Sequence, residues 1–217
     1  MAAALEVPDG GDRYRRLSAA VPPEEVRRTA IELGEVLAHR ARSLLGAPGG
    51  PRHAVPGSVL CVVVLRGGAL LYPGFSVVFA DADFCMLGMR RENGAVRTEY
   101  VTPIPGNAYA ATLYLDCVTA TGGTLLAARE AVGGRCAPGR ETAVVISGAA
   151  TATKRLGEAG MDVLGCSLHE GLNGDVVLPD MGALDAGDLF SGAAGRPSAP
   201  GGPADGARAD GARGDGR

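Results

Sequence analysis

The sequence has no long apolar run and no excess of positive charge. Crossing a bilayer takes roughly 18 to 20 consecutive apolar residues, and no run of that length occurs. Residues 1–9 also lack the cationic and apolar segments of a secretory signal. The 21 Lys and Arg residues are outnumbered by 24 Asp and Glu residues, whereas a surface that coats nucleic acid needs surplus cations. We therefore expect a cytoplasmic protein that binds small molecules, with no membrane and no nucleic-acid partner.

Several kinds of reactive site are absent as well. The five cysteines are odd in number and include no C-x-x-C pair, which argues against a disulfide framework and a zinc site. His39, His53 and His169 lie far apart without ligand-spaced carboxylate or cysteine partners, so neither a metal nor a general-base role is expected for them. The chain has no G-x-S-x-G elbow and no G-x-x-x-x-G-K-[ST] loop, which disfavours hydrolases and P-loop NTPases.

Strand-like and helix-like segments alternate along the chain. Residues 24–45 carry apolar side chains at spacings near three and four, which predicts an amphipathic helix. Residues 58–65 include a continuous apolar run rich in β-branched valine, typical of a strand buried on both faces. Further short apolar runs, interpreted as strands, lie at 76–80, 85–89, 110–115, 143–146 and 163–168. This alternation predicts the α/β class, with a mainly parallel sheet flanked by helices and ligands beyond the carboxyl ends of the strands.

Composition divides the chain into three parts. A chain of 217 residues suits one domain with one core, and we place that domain at residues 23–192. Residues 1–22 are expected to form a partly disordered N-terminal segment. Residues 193–217 consist mainly of Gly, Ala, Pro, Arg and Asp. With so little apolar surface to bury, they are predicted to be a disordered tail.

The most informative stretch is Leu-Tyr-Leu-Asp-Cys-Val-Thr-Ala-Thr-Gly-Gly-Thr at residues 113–124. An apolar run ends at Asp116, and small residues then lead into the helix-like residues 125–132. We call residues 119–124 the anion loop; they are Thr119, Ala120, Thr121, Gly122, Gly123 and Thr124. Adjacent glycines allow several N–H groups to converge on one anion at the positive end of a helix. The alternative is an ordinary strand-to-helix turn with Thr124 as the N-cap.

This stretch resembles the 5-phosphoribosyl-1-pyrophosphate (PRPP) motif of the type I phosphoribosyltransferases. Residues 116–124 are similar to Asp-Pro-Met-Leu-Ala-Thr-Gly-Gly-Ser of the uracil phosphoribosyltransferase branch, and the resemblance covers residues 26–192. It implies that the anion loop holds the 5-phosphate and that Asp116 holds the ribose hydroxyls. It also implies a type I phosphoribosyltransferase-like fold and a homodimer. The fold would include a small hood, built from the N-terminal helix and residues 169–192.

Two upstream motifs extend the resemblance to the diphosphate of PRPP. Leu-Arg-Gly-Gly-Ala-Leu at 65–70 is similar to the family's Leu-Arg-Ala-Gly-Leu-Gly, and Gly-Met-Arg-Arg at 88–91 to its Gly-Met-Tyr-Arg. The resemblance assigns the diphosphate to Arg66 and Arg91. A guanidinium suits this role because its planar fork can grip phosphate oxygens. Either arginine alone would be interpreted as a solvated surface residue.

Two downstream motifs resemble the family's nucleobase pocket. They are Glu-Gly-Leu-Asn at 170–173 and Asp-Ala-Gly-Asp-Leu-Phe at 185–190, similar to Gln-Gly-Leu-Asn and Asp-Ala-Gly-Asp-Arg-Leu-Phe. By resemblance, Asp185 contacts PRPP and its Mg²⁺, the implied cofactor. The alternative for Asp185 is a turn or cap role. The residues implied to read the base through backbone groups are Val177, Leu184 and Ala186.

The chain departs from the family in its acceptor half. The base loop at 177–188 is two residues longer than the family's, with Leu184 in place of a glycine, and the segment before it is one residue shorter. Residues 148–152 replace Ala-Ala-Pro-Glu-Gly, and residues 46–57 are shorter than the family's β-arm. Cys117 stands where the family has proline, and we do not predict a nucleophile there. Because backbone position sets hydrogen-bond register, these changes predict a remodelled acceptor pocket.

The leading functional prediction is transfer of a 5-phosphoribosyl group from PRPP to a ring nitrogen of uracil or a uracil-like heterocycle, with release of pyrophosphate. Positioning and charge stabilisation would carry such a reaction, and no dedicated general base is identified. One alternative is a specialised phosphoribosyltransferase of a biosynthetic pathway with a non-uracil acceptor. Another is a non-catalytic regulator that senses PRPP or nucleotides on the same fold. The presence of Arg66, Arg91 and Asp116 favours catalysis, because a sensor has less need of leaving-group arginines.

Overall fold

The main element of the fold is a seven-stranded sheet. The computed structural model describes residues 3–7, 10, 13, 17, 22–46, 59–92, 95–105, 109–133, 140–169, 172–173 and 176–177. The strands are β1 (Ala4–Glu6), β2 (Val59–Leu65), β3 (Asp83–Glu92), β4 (Ala95–Val101), β5 (Ala111–Thr119), β6 (Arg140–Ala149) and β7 (Asp162–His169). Their order in the sheet is β1-β7-β6-β5-β2-β3-β4. All pairs are parallel except β3 and β4, which confirms the predicted mainly parallel sheet.

Helices cover both faces of this sheet. They are α1 (Pro23–Gly46), α2 (Tyr72–Val78), α3 (Gly123–Val132) and α4 (Ala150–Glu158), with a 3₁₀ helix at Gly67–Leu70. Buried side chains of α1 and α2 share one core with the sheet, and those of α3 and α4 share the other. A small antiparallel pair, β8 (Leu172–Asn173) and β9 (Val176–Val177), follows β7. Within these described segments, none of the helices combines the length and the apolarity needed to cross a bilayer.

The central strand β2 is buried on both faces, as its continuous apolar run predicts. Cys61 and Val63 lie in the core beneath α1 and α2. Leu60, Val62 and Val64 lie in the core beneath α3 and α4. Alternate residues of a strand point to opposite faces, so a strand between two helical layers needs apolar residues at every position. The runs at 110–115, 143–146 and 163–168 are confirmed as parts of β5, β6 and β7. They are apolar because these strands also lie between the two helical layers.

Helix α1 is a layer of the main core. It begins at Pro23, carries two acidic residues in its first turn and ends at Gly46, close to the predicted 24–45. Leu33 and Leu37 are fully buried in the core shared with the sheet. The helix that the resemblance assigned to the hood therefore packs on a face of the sheet. The predicted tail at 193–217 lies outside the described residues.

The run at 76–80, interpreted as a strand, is instead the end of α2 and the turn after it. Pro73 lies in the first turn of this helix, where the fixed φ of proline favours a helical start. A Cβ on Gly74 would lie 2.4 Å from the backbone nitrogen of Glu35, so α2 packs directly on the backbone of α1. A short apolar run cannot distinguish a strand from a buried helix, and here packing on α1 decided.

Strand β3 continues beyond the end of its neighbour β2. Leu65, the last residue of β2, pairs with Gly88 of β3. Beyond this point β3 pairs only with β4, and the register shifts between Gly88 and Met89. The resulting hairpin extends past the carboxyl edge of the sheet and carries Arg91 opposite Val96. The predicted strand at 85–89 is confirmed, but it is shorter than the observed β3.

Candidate functional site

Asp116 lies inside β5, before the strand ends at Thr119. The apolar run ends at Asp116, but the strand continues through this residue, which is half-buried. Val118 and Thr119 still pair with Ser147 and Gly148 of β6. The Asp116 carboxylate accepts a hydrogen bond from the N–H of Cys117 through Oδ1, at 2.8 Å. The backbone thus orients this carboxylate just ahead of the anion loop.

The anion loop turns sharply at Gly122 and continues into α3. Gly122 has φ +75° and is the N-cap of the helix, which begins at Gly123. A left-handed φ favours glycine because it has no Cβ. The first helical hydrogen bond runs from the N–H of Leu126 to the carbonyl of Gly122, at 3.0 Å. The N–H groups that precede Leu126 in the first turn have no acceptor inside the helix, so they can bind an anion. Thr124 is not the N-cap, contrary to the alternative interpretation.

The members of the anion loop differ in exposure. Thr119 and Gly122 are buried, while Ala120, Thr121, Gly123 and Thr124 are half-buried. The half-buried residues are the ones that line the turn into the helix. The loop is therefore accessible at the point where α3 offers its N–H groups.

Arg66 follows the last residue of β2 and is exposed. The 3₁₀ helix after it lies against β5, because a Cβ on Gly68 would be 2.2 Å from the carbonyl oxygen of Leu115. A larger residue would require the backbone to move. The peptide bond between Leu65 and Arg66 is cis. Arg66 therefore lies directly after β2, the strand next to the one that carries Asp116.

Cys117 of β5 contacts the backbone of the segment that follows Arg66. Its thiol donates a hydrogen bond to the carbonyl of Gly67, with the two heavy atoms 3.0 Å apart. Burial raises the pKa of Cys117 well above its usual value, and the Asp116 carboxylate adds to this shift. Since the thiolate is the reactive form, the geometry agrees with our interpretation that Cys117 is not a nucleophile. Its observed contact is structural.

The structure brings three of the predicted elements to one edge of the sheet. β5 lies beside β2, and β2 lies beside β3. The order along the carboxyl edge is therefore the anion loop with Asp116, then Arg66, then the backbone of Arg91. The side chain of Arg91 is not among the described atoms.

The predicted base-binding and metal-binding residues are covered only in part. Val177 lies in β9, where the structure describes the backbone. Leu184, Asp185 and Ala186 lie outside the described residues. Their assignments, which rest on the family resemblance, stay predictions.

The described residues include no group of three or more His, Cys, Asp or Glu that could hold a metal ion. Mg²⁺ does not require such a cage, because it commonly uses one or two carboxylates together with substrate phosphates and waters. The Asp116 carboxylate beside the anion loop fits a site of this kind.

His169, at the end of β7, is half-buried. Burial lowers the pKa of His169, opposed by the nearby Glu6.

Helix α4 packs against the anion loop, a contact that the sequence did not indicate. A Cβ on Gly122 would lie 3.3 Å from Cγ of Leu156 and 3.5 Å from the carbonyl oxygen of Ala152. The Arg155 guanidinium donates a hydrogen bond to the carbonyl of Thr121, at 3.3 Å. In the sequence Arg155 is an ordinary charged residue of a surface helix. Only the tertiary structure places it at the site.

No family model matches the chain, but individual relatives do. A Schizosaccharomyces pombe protein named as a uracil phosphoribosyltransferase is 31% identical over 106 residues, and this match covers 48% of each chain. The chain thus spans about half the length of that relative. The uracil phosphoribosyltransferase of Bifidobacterium adolescentis is 32% identical over 151 residues, which is 65% of this chain and 69% of that one. The solved AQ2163 protein of Aquifex aeolicus matches the fold with a TM-score of 0.76 at 20% identity, over 89% of this chain and 100% of that one.

The strand order, the helices on both faces and the glycine turn after β5 together define a protein with the type I phosphoribosyltransferase fold. The sequence resemblance predicted this class. The match to the Bifidobacterium adolescentis protein extends over most of that relative. The chain belongs to the uracil phosphoribosyltransferase family, as a divergent member.

Proposed function

We propose that this chain transfers a 5-phosphoribosyl group from PRPP to a ring nitrogen of uracil or a uracil-like heterocycle, with release of pyrophosphate. The observation that supports this most is the anion loop after β5 with Arg66 at the end of the adjacent β2. PRPP carries a phosphate and a diphosphate at opposite ends of one ribose. Neighbouring strands lie about 4.8 Å apart, a separation that a single ribose can bridge.

Each part of PRPP has a proposed partner at this edge. The 5-phosphate would bind the N–H groups and hydroxyls of residues 121–124, where the positive end of α3 adds to the attraction. The ribose hydroxyls would donate to the Asp116 carboxylate. The diphosphate would bind Arg66 and Arg91, whose guanidinium groups suit phosphate oxygens. Val177, Leu184 and Ala186 are the proposed contacts of the acceptor base.

The proposed reaction needs no covalent intermediate with the protein. The bond between ribose C1 and the pyrophosphate oxygen breaks, and its electron pair leaves with pyrophosphate. The lone pair of the acceptor nitrogen forms the new bond at C1, and the proton of that nitrogen passes to solvent. The two arginines stabilise the negative charge that develops on the leaving group. Mg²⁺ bound with PRPP would neutralise further diphosphate charge, with Asp185 as the proposed contact.

The test is pyrophosphate release from PRPP and Mg²⁺ in the presence of uracil and a panel of related heterocycles. We expect release to depend on the acceptor, and Arg66→Gln or Arg91→Gln to slow it by about 100-fold or more, since each removes charge stabilisation of the leaving group. Arg90→Gln is the matched control. Arg90 is exposed and lies 3.8 Å from Glu99, so its loss should change the rate by less than about twofold. An equal loss in the Arg90 variant would contradict the assignment of Arg91.

A specialised phosphoribosyltransferase with another acceptor is the second candidate. The lengthened base loop at 177–188 and the presence of Leu184 favour it, because a shifted backbone moves the donors and acceptors that read the base. Turnover with a different heterocycle and none with uracil would support this candidate. Binding of PRPP without turnover of any heterocycle would instead support the regulator.

A further inference from the structure

We propose that Arg155 is a positioning residue of the anion loop, a role that rests on the proposed function. Arg155 belongs to α4 and lies in none of the motifs that carry the family resemblance. Its Nη1 donates to the Thr121 carbonyl at 3.3 Å. The same Nη1 would lie 3.8 Å from a Cβ on Gly123. The guanidinium therefore bonds to the residue before Gly122 and lies near the residue after it.

This contact sets the direction of the peptide group between Thr121 and Gly122. In a trans peptide the carbonyl and the N–H point in opposite directions. A Thr121 carbonyl directed at Arg155 therefore directs the Gly122 N–H away from α4. Gly122 is left-handed and the next residue is helical, a combination that turns successive N–H groups toward one concave, anion-binding side. Arg155 thus holds the anion loop so that the N–H groups of the loop face the position proposed for the 5-phosphate.

The rest of α4 holds the backbone of Arg155 in place against the anion loop. Ala152 and Leu156 are fully buried, and both approach the position of a Cβ on Gly122. The backbone from which Arg155 extends is therefore packed against the loop that it contacts. Arg155 itself is exposed, so its hydrogen bond competes with water and adds little to the stability of the fold. Its effect is expected in ligand binding.

Arg155 also acts through its charge. A hydrogen bond from a charged donor polarises the peptide that accepts it, and this strengthens the N–H of the same peptide as a donor. The guanidinium lies within the roughly 10 Å over which charges interact at moderate salt, close to where a phosphate would bind. Both effects favour the 5-phosphate. Neither acts comparably on the diphosphate, which the proposed function assigns to Arg66 and Arg91.

The experiment compares the binding of three ligands by calorimetry with Mg²⁺ present: PRPP, ribose 5-phosphate and pyrophosphate. Arg155→Met keeps an apolar stem but removes the donor and the charge. We expect it to weaken PRPP and ribose 5-phosphate binding by about tenfold, the equivalent of about 1.4 kcal/mol, and to leave pyrophosphate binding unchanged. Arg155→Lys should recover part of the loss. Lys154→Met is the matched control, because it removes the same charge from an exposed neighbour on α4, and it should bind all three ligands like the wild type.

The pattern across ligands decides the outcome. Unchanged ribose 5-phosphate binding in Arg155→Met would overturn the inference and leave the proposed function standing. Equal weakening of all three ligands, or the same loss in Lys154→Met, would also overturn it, since damaged folding or general charge loss would then explain the result. If the wild type binds neither PRPP nor ribose 5-phosphate, the proposed function itself fails.

Discussion

At the scale of single residues, the backbone conformation of Gly122 decides whether the anion loop can form. Its φ is +75°, a region that costs a residue with a side chain about 1 to 2 kcal/mol. Gly160, after α4, has a similar φ of +83°. The two glycines differ in their surroundings. A Cβ at 122 would meet Leu156 at 3.3 Å, whereas a Cβ at 160 would have no neighbour within 4 Å.

Gly122→Ala and Gly160→Ala therefore form a matched pair. Both should lower the free energy of unfolding by about 1 kcal/mol, because both place a side chain at a left-handed φ. Only Gly122→Ala should weaken PRPP binding, by about tenfold or more, since it moves the N–H groups of the anion loop. Urea denaturation and calorimetry measure the two effects. Wild-type affinity in Gly122→Ala would contradict the placement of the phosphate in this loop.

At the scale of elements, a charged network anchors α3 at the end away from the anion loop. Nη2 of Arg129 lies 2.6 Å from Oε2 of Glu141 in β6. Nη1 of Arg129 donates to the carbonyl of Ala159, after α4, at 2.7 Å. The hydroxyl of Tyr114 in β5 donates to Oε1 of Glu141 at 3.0 Å. The hydrogen bond with Glu141 raises the pKa of Arg129, so this cation stays charged across the accessible pH range.

Removing this anchor should destabilise the fold. Arg129→Met should lower the free energy of unfolding by about 1 to 3 kcal/mol, because Glu141 loses a charged donor and the Ala159 carbonyl loses its bond. A double-mutant cycle with Glu141→Gln should show coupling of about 1 kcal/mol. Arg28→Met is the control. The pair of Arg28 with Glu25 is exposed at 3.9 Å, so its loss should change stability by less than about 0.5 kcal/mol. Equal effects at the two arginines would contradict the anchoring role.

At the scale of the whole molecule, the two cores enclose the described cysteines. Cys61, Cys117 and Cys166 lie in the core beneath α1 and α2, and Cys85 lies in the other core. Burial raises the pKa of Cys166 to about 12, with a further contribution from Glu6. Burial also raises the pKa of Cys61 and Cys117. Reaction at these thiols therefore requires the cores to open.

Thiol alkylation should consequently report global unfolding. Cys136→Ser removes the cysteine that lies outside the described residues. In this variant, peptide mass spectrometry should show the other four cysteines reacting together at the rate of unfolding. In the unfolded state the thiol pKa is about 8.5, below the raised pKa values of the folded state. As the pH rises above about 8.5, the unfolded state loses its thiol protons first, so the free energy of unfolding falls. Rapid alkylation of one of these four cysteines alone would contradict the prediction that they react together.

Local sequence pattern was sufficient for most strands and for the anion loop. The run at 58–65 predicted β2 because a strand between two helical layers is apolar throughout. The adjacent glycines of the anion loop predicted a tight turn before a helix because that conformation depends on neighbouring residues. The run at 76–80 was misinterpreted since five apolar residues satisfy a strand and a buried helix equally. Its contact with α1 depends on residues about forty positions earlier in the chain.

The sequence by itself therefore determined the fold class, the motif that receives PRPP in the family and the order in which its parts follow one another. Those properties are written in short segments, where each residue acts on its near neighbours. The tertiary structure alone decided that Asp116 stays within β5, that α1 forms a core layer and that Arg155 meets the Thr121 carbonyl. Each of these depends on contacts between segments far apart in the chain, and such contacts exist only once the strands have paired and the helices have packed.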